Sequence, residues 1–154
     1  KPKKNTMAVS LSLSKDVLIN NPELKVVFEH NGISMNKNYF QDYEFVKMDK
    51  TEQVNEKWKP IGTNTVKGTF DHEFGHQLDK FLDLKNDKEI EKIHKQLTKE
   101  NSFKEKLSGY SQKSKAEMIA EAWSEYRNNS EPREVAKKVG KRVEELWQQY
   151  QRKK

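Results

Sequence analysis

The sequence predicts an α+β fold in which a small N-terminal mixed sheet is followed by a mainly helical C-terminal half. Two observations carry this prediction. Apolar residues recur at helical spacing from about residue 65 to the end of the chain, and a hairpin signal, Asn31-Gly32, stands between two short apolar runs. With 154 residues, the chain is long enough for one hydrophobic core, so we expect residues 1–154 to form a single domain.

The N-terminal half is expected to contain strands and a long loop. Apolar residues alternate within residues 1–14, which indicates a strand or an ordered arm, and residues 15–19 follow a serine as a short helix would. The two runs beside Asn31-Gly32 are read as strands, and residues 41–65 as a surface loop that holds one further strand. The three predicted strands are Leu24–Glu29, Ile33–Asn36 and Phe45–Met48.

The C-terminal half is expected to contain four long helices. The first spans about residues 65–83, and its apolar residues recur every fourth position, which predicts one face packed on the core. That stripe consists of Val66, Phe70, Phe74, Leu78 and Leu82. The remaining helices are predicted at about 87–100, 115–128 and from Pro132 to 151, with a short helical piece at 103–107.

Composition excludes several kinds of site. The chain has no cysteine, so disulfides, a thiolate zinc site and a cysteine nucleophile are excluded. Charged residues make up 35% and hydrophobic residues 32%, but the aromatic content and helical periodicity favour a folded domain over disorder. The net charge of +6 comes from lysines spread along the chain among glutamates, which is typical of a solvated surface, so nucleic acid is not the expected partner.

The sequence shows neither a signal peptide nor a membrane-spanning segment, and it assigns no compartment. Because the chain does not begin with methionine, we interpret it as a fragment of a longer protein whose other domains are among its expected partners.

Residues 72–76 carry the main functional signal, the motif H-E-x-x-H. His72 and His76 are four residues apart, so on a helix they lie on the same face and can bind one Zn²⁺ ion. Glu73 can act as a general base without being a ligand. Gly75 in the middle of this helix costs about 1 kcal/mol relative to alanine, which predicts a compensating close approach of another backbone. Asp79 is interpreted either as orienting a ligand or loop, or as a surface charge.

A catalytic zinc site needs a third protein ligand. The long H-E-x-x-H-x-x-G-x-x-H pattern is absent, because Asp79 and Leu82 occupy its glycine and third histidine positions. His30 and His94 are interpreted as ordinary surface residues.

A downstream helix offers Glu117 and Glu121, four residues apart and on one face. One can bind the metal while the other accepts the N–H of a ligand histidine. Both also have simpler interpretations: Glu117 fits a capping box that begins at Ser114, and Glu121 fits a solvated helix surface.

The motif at His72–His76, followed by Tyr110 and by A-E-M-I-A-E-A-W at residues 116–123, resembles the gluzincin metallopeptidases of the anthrax lethal factor and Pro-Pro endopeptidase type. That family pattern is H-E-F-x-H, a tyrosine seven residues before the ligand glutamate, and E-x-x-A-E-A plus an aromatic residue. The resemblance covers about residues 65–128. Similar domains also occur in structural proteins of phages and mobile elements, which suits the lysine-rich, cysteine-free composition.

The resemblance implies a zincin-like fold and a zinc-dependent endopeptidase that acts on a peptide or protein substrate. It implies that His72, His76 and Glu117 bind one Zn²⁺ ion, and that Glu73 is the general base. Glu121 would hold a ligand histidine, and Tyr110 would donate a hydrogen bond to the developing oxyanion. The alternative is a non-catalytic module, in which the same fold serves as a docking or structural piece of a phage or mobile-element protein.

A peptide substrate is expected to bind as an extended strand along an edge of the N-terminal sheet, for which Ile33–Asn36 is the candidate.

Overall fold

The structure is a computed structural model that describes residues 7–11 and 32–153, and most of these residues are helical. The two strands are β1 (Ala8–Leu11) and β2 (Gly32–Met35). The helices are α1 (Lys37–Phe40), α2 (Tyr43–Asn55), α3 (Val66–Leu82), α4 (Lys88–Glu100), α5 (Phe103–Lys106), α6 (Lys115–Asn128) and α7 (Glu134–Arg152), with short 3-10 turns at Leu84–Asn86 and Tyr110–Lys113.

Strands β1 and β2 form an antiparallel pair whose register runs from Ala8 opposite Met35 to Leu11 opposite Gly32. The strand predicted at Ile33–Asn36 is therefore confirmed within one residue. The part of the chain that the structure describes contains no parallel pair of strands, so the mixed character expected for the sheet is not seen there. The predicted strand Leu24–Glu29, the predicted helix at 15–19 and the Asn31 half of the hairpin signal lie outside the described residues.

The strand predicted at Phe45–Met48 is wrong, because these residues belong to helix α2. The helix begins after Asp42, whose side chain accepts a hydrogen bond from the backbone N–H of Phe45 at 3.0 Å. Val46 and Lys50 face inward one turn apart and are both buried, whereas Phe45 and Met48 are exposed. A lysine at an inward-facing position conceals the helical period, and the exposed apolar residues imitate a strand.

The helices predicted in the C-terminal half are confirmed, with boundaries that agree within two residues. Side chains at their N-termini explain where several of them begin. Thr65 accepts from the backbone of Gly68, Asp87 from Ile90 and Ser114 from Glu117, at 3.0, 3.2 and 3.1 Å.

Helix α6 occupies the centre of the helical part. Its residues 118–125 are all buried, and it packs against α3 on one side and α7 on the other. The core cluster around it draws its buried apolar side chains mainly from α3, α4, α6 and α7: Leu78, Leu84, Ile90, Leu97, Phe103, Leu107, Met118, Ile119, Ala122, Trp123, Val135, Ala136, Val139 and Val143. The residues of α6 between positions 118 and 125 therefore lie in a closely packed environment.

Helix α3 is turned away from the orientation that its apolar stripe predicts. Phe70 and Phe74 are 46% and 40% exposed, whereas His72, Glu73 and Gly75 are buried. The two phenylalanine rings stack with centroids 6.3 Å apart and line an apolar surface groove together with Ile33 and Trp147. The more polar face is the one packed on α6, because α6 presents carboxylates and small residues that accommodate it. The expectation that this stripe is the core face is thus wrong for Phe70 and Phe74, whereas Leu78 and Leu82 do pack on the core cluster.

Gly75 provides the close approach between α3 and α6. A Cβ atom at this position would lie 2.8 Å from Cα of Ala120, which is closer than packed atoms allow. The expectation that the glycine compensates its helix cost by contact with another backbone is therefore confirmed. The contact brings the two helix axes together at the level of His72, His76 and Glu121.

Replacing Gly75 by alanine is expected to lower the free energy of unfolding by about 1–3 kcal/mol, because the added methyl group forces α3 and α6 apart. Helix propensity alone predicts the opposite sign, a gain of about 1 kcal/mol. Urea denaturation of both proteins decides between the two, and a stabilised G75A variant would contradict the close contact.

Candidate metal centre

Three side chains from two helices converge on one point. His72 and His76 extend from α3, and Glu117 extends from the first turn of α6. Oε2 of Glu117 lies 3.2 Å from Nε2 of His72 and 3.4 Å from Nε2 of His76. One ligand atom from each residue can be chosen so that all three lie within 4.8 Å of one another. The structure therefore brings together the three residues that the family resemblance implies as metal ligands.

The position of Glu117 at the start of α6 has a local cause. Ser114 caps the helix by accepting a hydrogen bond from the backbone N–H of Glu117 at 3.1 Å. The serine half of the capping box is thus present, but the Glu117 carboxylate lies against the two histidines of α3. The cap and the metal-ligand interpretations are compatible, because they use different atoms of the same residue.

The surroundings of this cluster stabilise positive charge, whether it is a proton on His72 or a bound cation. Burial alone would raise the pKa of Glu117, but the adjacent imidazoles of His72 and His76 outweigh burial and hold the pKa well below its usual range. Burial alone would lower the pKa of His72, but the carboxylates of Glu117 and Glu121 outweigh it and raise the pKa. An ionised carboxylate and two imidazole nitrogens are ordinary zinc donors.

Oε2 of Glu117 is a buried oxygen that no described residue satisfies with good hydrogen-bond geometry, even though the two imidazole nitrogens lie within 3.4 Å. Buried polar atoms in native proteins nearly always have a partner, and a bound ion is one explanation for an exception. The donor set and this unsatisfied oxygen both fit a metal ion.

Glu121 lies directly behind His72. Its Oε1 is 2.7 Å from Nδ1 of His72 and accepts a hydrogen bond from Nζ of Lys59 at 2.8 Å. Its Oε2 accepts from Oγ of Ser108, also at 2.8 Å. Burial by itself raises the pKa of Glu121, but the charge of Lys59 and the contact with His72 lower it to about 2. The carboxylate is therefore ionised, and it holds the ring of His72 with Nε2 directed at Glu117.

Lys59 and Ser108 are the participants that the sequence did not reveal. Lys59 lies between α2 and α3, and Ser108 lies between α5 and the following 3-10 turn. Neither belongs to a motif, because their contacts with Glu121 join residues 62 and 13 positions apart.

Glu73 and Tyr110 line one cavity of about 260 Å³, and His72 is the converging residue that also lines it. Glu73 is buried and follows His72 directly on α3. The ring of Tyr110 lies 5.9 Å from the ring of His72, and Nζ of Lys59 lies 3.8 Å from its centroid. Burial raises the pKa of the Tyr110 phenol to about 12, with smaller contributions from Glu117, Glu121 and Glu73, so the phenol keeps its proton.

The remaining candidates lie elsewhere. His94 packs edge-on against Phe103 with ring centroids 5.5 Å apart, and His30 lies outside the described residues. Asp79 is buried and accepts a hydrogen bond from the backbone N–H of Lys85 at 2.8 Å, so it orients the loop after α3. Ile33, from the strand expected to bind substrate, lines the apolar surface groove that contains Phe70 and Phe74. Met7 and Ala8 instead line the cavity that contains Glu73.

Comparison of the chain with protein-family models, with curated proteins and with solved structures gave no match. None of the helices in residues 32–153 is long and apolar enough to cross a membrane.

Proposed function

We propose that this protein is a zinc-dependent endopeptidase of the gluzincin type, built on a zincin-like fold. The single observation that carries the proposal is the convergence of His72, His76 and Glu117, with Glu121 at the far nitrogen of His72. Two histidines and one glutamate form a three-ligand set typical of catalytic zinc, which leaves a coordination position open. A purely structural zinc site has four protein ligands.

A zinc ion held by His72, His76 and Glu117 would supply a Lewis acid that polarises the substrate carbonyl and makes a water molecule acidic. The carboxylate of Glu121 supports this role by holding His72 in the tautomer that leaves Nε2 free to bind. Lys59 and Ser108 in turn hold Glu121, so the orientation of one ligand is fixed through two layers of contacts.

Glu73 is the residue that moves the proton in this proposal. Its carboxylate lines the cavity beside the ligand cluster, next to His72 in the chain. It would take a proton from the attacking water and then deliver that proton to the amine that leaves when the peptide bond breaks. A docking or structural module does not need a general base such as Glu73. We therefore favour the enzyme over that alternative.

Tyr110 is proposed to donate its phenolic proton in a hydrogen bond to the substrate oxygen as negative charge develops there. The ring is held beside His72 by an edge-on contact with Trp58 at 5.6 Å and by the Lys59 ammonium. The backbone N–H of Tyr110 also donates to the carbonyl of Trp58 at 3.1 Å. These contacts therefore hold the phenol in a fixed position.

Replacing Tyr110 by phenylalanine is expected to lower kcat by about 10²–10³-fold with little change in KM, because one donor to the oxyanion is lost while the ring contacts remain. Steady-state kinetics on a peptide substrate measure both constants. Tyr126→Phe, on the opposite side of α6 beside Gly140, is the matched control and should leave kcat unchanged. Equal effects of the two variants would remove Tyr110 from the mechanism.

The proposal as a whole is tested by metal analysis of the purified protein together with cleavage of a peptide library followed by mass spectrometry. The expected result is one zinc ion per chain and defined cleavage that a chelator abolishes and added Zn²⁺ restores. Stoichiometric zinc without cleavage of any peptide would favour the non-catalytic module. Absence of zinc binding would refute both interpretations.

A further inference from the structure

Lys50 is a buried lysine whose side chain lines the same cavity as Glu73. It lies on α2, and only 4% of the residue is exposed. Its ammonium lies 3.7 Å from the sulfur of Met7, and a thioether is a weak acceptor. None of the carboxylates in the described ranges forms an ion pair with it. Lys50 thus places a positive charge in the cavity without a protein counter-ion from that part of the chain.

The other charged groups around Lys50 have partners or roles of their own. Lys59 is paired with Glu121, at 2.8 Å. Asp49, the neighbour of Lys50 on α2, accepts hydrogen bonds from Tyr39 and from Gln53.

Glu73 and Glu121 also favour the charged form of Lys50, but both act from beyond ion-pair distance. Of the two lysines that line the cavity, Lys59 thus has an ion-pair partner among the described residues and Lys50 has none.

Burying an ammonium without a counter-ion costs free energy, because the charge loses its hydration. We therefore expect an anionic ligand to bind next to Lys50 at the wall of the cavity. Burial, and next the repulsion from Lys59, lower the pKa of Lys50 to about 8, which leaves most molecules charged at neutral pH. A cavity of about 260 Å³ is large enough to admit one carboxylate-bearing side chain.

We propose that Lys50 is the specificity-determining residue of a subsite that receives a carboxylate of the peptide substrate close to the cleaved bond. The inference rests on the proposed peptidase function and adds a substrate class to it. The carboxylate belongs either to an aspartate or glutamate side chain or to the C-terminus of the substrate, and both offer Lys50 the same chemistry. The test has one arm for each source.

The first arm compares internal peptides with amidated ends that carry glutamate or glutamine at each position near the cleaved bond. The second compares free-acid and amidated C-termini of one peptide. We expect kcat/KM of the wild type to be at least about tenfold higher for the carboxylate member of one of these pairs. Lys50→Met should lose that preference and Lys50→Arg should keep part of it, while Lys47→Met, at an exposed position on α2, should behave as wild type.

Binding gives a readout that does not need turnover. N-acetylglutamate α-amide should quench or shift the fluorescence of Trp58, which lines the cavity, and N-acetylglutamine amide should not. A carboxylate that binds only to zinc would affect the Lys50→Met variant as well, whereas a carboxylate held by Lys50 would not. Because Met is an apolar residue of similar length, the variant should melt no lower than wild type.

The outcomes separate the two hypotheses. Cleavage by the wild type without any carboxylate preference, or a preference that survives in Lys50→Met, overturns the subsite and leaves the peptidase standing. No cleavage of any peptide, with selective binding of the glutamate probe that Lys50→Met abolishes, overturns the peptidase and supports the anion subsite.

Discussion

Glu73→Gln is expected to reduce kcat for peptide hydrolysis by about 10²–10⁴-fold while the protein still binds one zinc ion per chain. Glutamine has the same size and fills the same place beside His72, but its amide cannot take a proton from water. The site geometry makes this a clean experiment, because Glu73 lines the cavity and is not among the three residues that converge on one point. Single-turnover kinetics and metal analysis on one preparation measure both quantities.

Glu131→Gln is the matched control, because Glu131 is an exposed glutamate in the loop between α6 and α7. It should change neither kcat nor zinc content. Retention of more than about a tenth of wild-type kcat by Glu73→Gln would show that another group acts as the base. Loss of zinc from Glu73→Gln would instead make Glu73 a ligand and contradict the assignment of Glu117.

The second large effect is a contrast between two glutamates one turn apart on α6. Glu117→Gln is expected to weaken zinc binding by more than the roughly 10–100-fold loss expected for Glu121→Gln. Glu117 presents its oxygen at the meeting point of the histidines, whereas Glu121 contacts only the far side of His72. Competition with a chromophoric chelator gives both affinities, and equal or reversed losses would contradict the assignment.

The loss in the free energy of unfolding should show the opposite order, with Glu121→Gln more destabilising than Glu117→Gln. Glu121 is 1% exposed and pairs with Lys59, whose side chain is 16% exposed, so Glu121→Gln leaves a largely buried ammonium without its counter-ion. We expect a loss of roughly 3 kcal/mol in the free energy of unfolding of the metal-free protein, measured by urea denaturation. Glu117→Gln removes a carboxylate that binds no lysine or arginine in the described ranges and should cost less. The same pair of variants therefore separates binding of the metal from support of the fold.

The sequence predicted the C-terminal helices well because their signals are local. Thr65, Asp87 and Ser114 cap the helices next to them, and apolar residues repeat at the helical period within each one. The cost of a glycine in the middle of a helix is also local, and it led correctly to the contact between Gly75 and Ala120. The convergence of His72, His76 and Glu117 is what the family resemblance implies.

The errors arose where burial depends on distant parts of the chain. Phe70 and Phe74 belong to the apolar stripe of α3, but α6 determines which face of α3 is buried, because its Ala120 and Glu121 pack against the other face. Lys50 at an inward position of α2 hid that helix from a pattern search. Burying a lysine in a core costs free energy, so the sequence alone does not predict it. The structure shows that Lys50 lines the same cavity as Glu73.

The close contact between Gly75 and Ala120 also has a consequence for motion. Both ligand-bearing turns flank this contact, and α6 is the most deeply buried helix of the described part of the chain. The helix backbones at this contact can separate only if α6 leaves the core, which is a global opening of the domain rather than a local fluctuation. Amide hydrogens of α6 should thus be among the slowest to exchange. The packing that orients the ligands is the same packing that stabilises the folded state.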